Sequence, residues 1–194
     1  MQFERLRLPR PESALPPPFT QEPWTGGLPH GPGRVLYTAL ARRTTTPDTC
    51  WLGIWEGWGG LHPGSIASGG LDGEGDEFNE GQEELHRLNS ALADLQRRVA
   101  TAPRFDHPGR KYLLAEAPCR SVTELDRPPL GLALSLVWPE DRAWCVGSEI
   151  DFDSTLVAAS EECIAGLLSE DGLEFVRVGP DDRLDIDGDE LNLP

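Results

Sequence analysis

The sequence predicts a single α+β domain, built on a mixed, mostly antiparallel sheet of about five or six strands and covered by two main helices. Three observations carry this. Short runs rich in Trp, Tyr, Val, Leu and Ile are punctuated by Pro, Gly and Asp, which is the pattern of strands and tight turns. Two other stretches repeat apolar residues with helical spacing. At 194 residues the chain is long enough for one core, which at this size removes roughly 70% of the unfolded chain's surface from water.

Residues 1–32 read as a proline-rich N-terminal arm: between Pro9 and Pro32 lie eight prolines and three glycines, with Phe19 and Trp24 as the aromatics. The arm is expected to lie over its own domain with Trp24 as an anchor. Leu28-Pro29-His30-Gly31-Pro32 contains a Pro-x-x-Pro spacing of the kind that docks on aromatic grooves, although one match is expected by chance in such a stretch. From residue 33 to 194 the chain reads as one globular unit. Val35, Leu36, Ala39 and Leu40 share one helical face and predict a short helix. Thr44-Thr45-Thr46-Pro47 ends it, because β-branched residues and the position before proline disfavour helix. Cys50 to Glu56 follows as a strand, with Trp51 and Trp55 on one face and Cys50, Leu52 and Ile54 on the other. Both faces are apolar, as in a central strand or one covered on both sides.

Residues 57–76 hold eight glycines in an acidic stretch and predict a loop. The clearest helix comes next, where Leu85, Leu88, Leu92, Leu95 and Val99 form a core-facing stripe. Asn79 and Gln82 have the spacing of a capping box, and acids at the start with Arg97 and Arg98 at the end match the helix dipole. Phe105 to Gly109 reads as a turn and Lys111 to Cys119 as a strand. Leu132 to Ser154 reads as a hairpin reversing at Pro139-Glu140-Asp141-Arg142. Thr155 to Val157 is a short strand, Ser160 caps a helix carrying Ile164, Leu167 and Leu168, and Leu173 to Val178 is the last strand before an acidic tail at 180–194.

The formal charge is −16, with a single lysine, Lys111, against sixteen arginines. Such a balance disfavours sequence-independent binding to nucleic acid, which depends on neutralising phosphates, and suits a basic protein partner. The acids are concentrated: Thr44 to His86 carries nine and no base, and Glu140 to Pro194 carries sixteen against three arginines. No window is long and apolar enough for a membrane span, and residues 1–10 are not followed by the apolar block of a signal peptide. The four cysteines, Cys50, Cys119, Cys145 and Cys163, have neither Cys-x-x-Cys nor zinc-finger spacing. Three lie in apolar runs, so the expectation is reduced, buried thiols in a cytoplasmic protein.

Several residue sets invite a function. In the hairpin's return strand Glu149, Asp151 and Asp153 would share one face, a carboxylate ladder suited to a partner. As a metal site it is too flat, and no lysine lies beside it. Trp51, Trp55 and Trp58 with interleaved glycines suggest a stacking platform for a small planar ligand, in a pocket beneath the 57–76 loop. Asp106-His107 could combine with Cys119 or Cys145 as base and nucleophile, but the string also suffices as a turn. Asp185 to Asp189 has acids at alternate positions without the glycine and twelfth-position acid of a calcium loop, and Gly64 to Gly70 lacks the features of a nucleophile elbow or phosphate loop. No catalytic residue, metal or cofactor is assigned. The first expectation is therefore a non-catalytic acidic binding protein for a basic partner, for example a toxin-neutralising immunity protein. The alternative is a small-molecule-binding domain or enzyme.

Two strings, Thr46 to Trp51 with Trp55 to Gly59, and Trp138 to Val146, resemble proteins of high-GC Gram-positive bacteria to which no activity is assigned. The resemblance implies a bacterial, cytoplasmic source and transfers no site residue.

Overall fold

The computed structural model describes residues 2–7, 25–61, 76–107, 109–125 and 134–184. It is an α+β domain with one antiparallel sheet. The strands are β1 (Gln2–Arg7), β2 (Cys50–Trp55), β3 (Arg104–His107), β4 (Arg110–Ala117), β5 (Leu134–Pro139), β6 (Trp144–Ser148), β7 (Thr155–Ala159) and β8 (Glu174–Val178). They lie in the order β3-β4-β2-β5-β6-β7-β1-β8, with every neighbouring pair antiparallel. The helices are α1 (His30–Ala41), α2 (Asp76–Thr101), α3 (Val122–Leu125) and α4 (Glu161–Leu167).

Six of these strands are the six expected from the sequence, and β1 and β3 extend the sheet. Gln2 to Arg7 belongs to the sheet, inserted between β7 and β8, and not to an arm. Residues 8–24, including Trp24, lie outside the described residues, as do 62–75 and 185–194, where the glycine-rich string and the calcium-loop-like string fall. Strand β3 replaces the expected turn at Phe105: alternate pairing to β4 is available to any extended tetrapeptide, and the reversal moves to Gly109, whose φ of +85° favours glycine. Helix α2 begins at Asp76, which puts Asn79 inside the helix, not at its cap. Ser160 caps α4 as expected, its hydroxyl accepting from the Cys163 N–H at 3.2 Å.

All four helices pack on one side of the sheet. Leu36, Ala39 and Leu40 of α1, Val122 of α3 and Ile164 and Leu167 of α4 meet Cys50, Leu52, Val137, Trp144, Val146, Val157 and Ala159. Leu95 and Val99 of α2 pack farther along the same side, against Ile54, Leu61 and Leu113. The register explains why these strand residues agree: Leu52 lies opposite Val137, Val137 opposite Val146, and Val146 opposite Val157. A bulge between Gly53 and Ile54 shifts the β5 register, so Leu136 pairs with Gly53 but Leu134 with Ile54. Without that extra residue, Leu134 and Leu136 would point the same way; with it, Leu134 joins the helix side.

Cys50 and Cys119 are joined by a disulfide, with Cα atoms 5.7 Å apart, and both are buried. This corrects the expectation of four reduced thiols. Apolar surroundings fit a buried disulfide as well as a buried thiol, and 69 residues of separation hide the pairing from the sequence. Cys145 and Cys163 are free. Disulfides are rare in a reducing cytoplasm, so the thiol argument for a cytoplasmic location lapses. No helix among the described residues is long and apolar enough to cross a membrane.

The β5–β6 turn also fastens the segment after α1. Asp141 accepts from the Thr44 hydroxyl at 2.8 Å, from the Thr45 N–H and hydroxyl at 2.7 Å each, and from the Ala143 N–H at 3.1 Å. Desolvation pushes its carboxyl upward, but the bonds from Thr45, Thr44 and Ala143 outweigh it and hold the pKa at about 2. A folded-state pKa below the unfolded value near 3.8 contributes stability that is present above pH ~4 and is lost as pH falls toward 2. In urea denaturation, the stability gap between wild type and Asp141→Asn is expected to be widest near neutral pH and to narrow steadily below pH ~4. A gap that stays constant down to pH ~2 would contradict this role.

Candidate functional site

The reverse side of the sheet carries no helix among the described residues, and it is aromatic. Trp51 and Trp55 point there because Cys50, Leu52 and Ile54 point to the core. Tyr112 is opposite Trp55, Phe105 opposite Tyr112, and Trp138 opposite Trp51. The rings touch in sequence across the strands. Phe105 stacks on Tyr112 with centroids 5.4 Å apart, and its edge meets Trp138 at 5.9 Å and 87°. His107 meets Tyr112 edge-on at 6.2 Å. Tyr112 is buried by this layer, whereas Trp51, Trp55 and Trp138 are half-buried.

Gly53 is what lets Phe105 reach from the edge strand to β5. A Cβ built there would stand 3.1 Å from Leu136 Cβ and 3.1 Å from Phe105 Cζ. Gly53→Val is therefore expected to lift Phe105 off the sheet, at about 1–3 kcal/mol of overpacking, and to change tryptophan emission through Trp138. An unchanged melting temperature and unchanged emission would show that the ring is not seated there.

The ends of the face are polar. At one end the Arg110 guanidinium lies 4.7 Å from the Trp55 ring centroid and bonds Glu149 at 2.6 Å. Trp55, Glu56, Gly57, Asp106, His107, Gly109, Arg110 and Lys111 line a wide, open groove here. On the helix side, Arg104 bonds Glu56 at 2.8 Å and the Ala102 carbonyl at 2.9 Å, tying β3 to the turn after β2 and to the end of α2. At the other end the Trp51 indole N–H donates to the Glu140 carboxylate. A separate cavity of about 30 Å³, lined by Leu28, His30, Tyr37, Thr123 and Ser148 among others, has room for about one water and no substrate.

The sequence-derived sets are only partly assembled. Glu149, Asp151 and Asp153 do not form a ladder, because β6 ends at Ser148 and residues 149–154 turn, with the Phe152 N–H donating to the Glu149 carbonyl. Glu149 is held by Arg110, while Asp151 and Asp153 are exposed in the β6–β7 connection. Trp51 and Trp55 share the open face, but Trp58 packs with Ile54, Leu61 and Leu113 on the opposite side, so the three do not make one platform. His107 sits on edge strand β3, four strand spacings from Cys145 on β6, roughly 19 Å away. Cys119 is consumed in the disulfide, and burial pushes the Cys145 thiol up, away from the nucleophilic thiolate. Among the described residues no three His, Cys, Asp or Glu side chains converge as metal ligands.

Sequence reasoning named neither Phe105, Tyr112 and Trp138 nor Glu116 and Glu140 as site residues. The signal available was the alternation of aromatics in Trp51-x-Gly53-x-Trp55 and its echo at Trp138, but only the register brings them together. No family model, curated protein or solved structure matches the chain.

Proposed function

We propose that this chain is a non-catalytic binding protein whose acidic, aromatic surface engages a basic protein partner, with neutralisation of a cationic toxin as one concrete form. The observation that carries this reading is an aromatic sheet face that no helix covers among the described residues, in a molecule of formal charge −16. Half-buried indoles that no described helix covers offer contact area to a partner, and net negative charge accelerates encounter with a cationic protein. The test is capture from lysate of the source organism at low and high salt, comparing wild type with Trp138→Ala. The expected result is a basic protein retained at low salt, released at high salt and lost with the variant. Absence of any salt-sensitive, variant-sensitive species would sink the reading.

A second reading, a small-molecule-binding domain or enzyme, is favoured by the open groove whose lining includes Trp55, His107, Arg110 and Lys111. Thermal shift against metals, nucleotides and sugars separates the two: a ligand that raises the melting temperature of wild type but not of Trp55→Ala favours the groove.

A further inference from the structure

The open face holds two places where an indole and a carboxylate stand together, and one of them already contains an arginine. In that one, Arg110 lies 4.7 Å from the centroid of Trp55 and 2.6 Å from Glu149. A planar guanidinium suits both neighbours at once, since it stacks on an indole while its N–H groups meet a carboxylate.

The second place lies at the other end of the same face. Trp51 stands directly between Glu116 of β4 and Trp138 of β5, each opposite it in register. Cβ atoms of such pairs are about 5 Å apart. Glu140, two residues beyond Trp138, accepts the Trp51 indole N–H, which fixes that indole and brings a second carboxylate to the patch. Phe105 supports Trp138 from its edge. Both indoles are half-buried and both carboxylates exposed. The indole faces carry the negative side of a quadrupole and the glutamates carry full negative charge, so all four groups attract a cation.

We propose that the patch formed by Trp51, Trp138, Glu116 and Glu140 docks an arginine side chain of a basic protein partner, repeating from outside what Arg110 does from within. The assignment rests on the binding-protein reading above and names the part of its surface that makes contact. Arginine is the occupant, in preference to lysine, because stacking and two-point contact with a carboxylate need a flat, forked cation.

The test uses labelled nona-arginine and nona-lysine peptides titrated against the full chain at about 150 mM salt, where weak surface attraction is largely screened. Glu116→Gln with Glu140→Gln removes two charges while leaving a hydrogen-bond acceptor for Trp51. Glu162→Gln with Asp171→Asn removes two exposed charges from α4 and the turn beyond it, on the helix side. Both double variants are first checked for an unchanged melting temperature. Expected is a rise of about tenfold in the nona-arginine Kd for the first pair, less than about twofold for the second, and weaker binding of nona-lysine to wild type. Equal weakening by both pairs, or equal affinity for the two peptides, overturns the patch while leaving an acidic binding protein standing. No binding of either peptide even at about 50 mM salt overturns the patch and the parent reading together.

Discussion

Reducing the Cys50–Cys119 bridge is expected to lower the thermal midpoint by roughly 10 °C. The bridge closes a loop spanning 69 residues of sequence, and restricting the unfolded chain over that length contributes about 4 kcal/mol on the chain-entropy account. For a chain of this size each kcal/mol shifts the midpoint by about 2–4 °C. Thermal melts with and without reductant measure the effect, and the Cys50→Ala, Cys119→Ala double variant should melt near the reduced protein. Both sulfurs are buried, so slow reduction of the native fold is expected and rapid reduction on unfolding. Thiol titration in denaturant without reductant should find two free thiols, Cys145 and Cys163. Four free thiols would refute the bridge outright.

Trp144→Ala is expected to cost about 3–5 kcal/mol, a large part of the 5–15 kcal/mol that holds a typical domain together. Trp144 is 1% exposed at the centre of the sheet's helix side. Its ring lies against Tyr37 at 6.4 Å, and its indole N–H donates at 3.0 Å to the Leu40 carbonyl near the C-terminal end of α1, which also accepts the Arg43 N–H at 2.9 Å. Truncation thus empties a large volume and removes one of the two donors to the Leu40 carbonyl in one step, leaving the Arg43 N–H at 2.9 Å. Trp144→Phe separates the two contributions: it keeps most of the apolar contact, and its cost should fall to about 1–3 kcal/mol. Urea denaturation of both variants checks this ordering. Equal losses would mean that the hydrogen bond, not the volume, holds α1 to the sheet.

Much of the architecture was legible because it is local. Helix α2 with Leu95 and Val99 turned to the core, the Ser160 cap, and the division of β2 into a cysteine-leucine-isoleucine side and a tryptophan side all follow from side-chain periodicity within one segment. What failed was non-local or borderline. Arg104 to His107 is too short and polar to announce itself as a strand, and it exists because β4 offers its edge. The supposed carboxylate ladder assumed that β6 continues past Ser148, whereas the chain turns at Glu149, whose carboxylate is taken by Arg110 from β4. Proximity in sequence groups Trp58 with Trp51 and Trp55, yet the turn after β2 carries it to the opposite side of the sheet.

Composition and periodicity by themselves determined an acidic α+β domain, with antiparallel strands whose oily residues alternate and helices that each have one face to bury. They did so because backbone geometry alone maps sequence spacing onto faces. It takes the packed fold to put all four helices on one side, gathering Trp51, Trp55, Phe105, Tyr112 and Trp138 into one layer on the other, and to bring Cys50 to Cys119. Strand order and register are settled by contacts between residues far apart in the chain, so no single segment carries the information that brings these groups together.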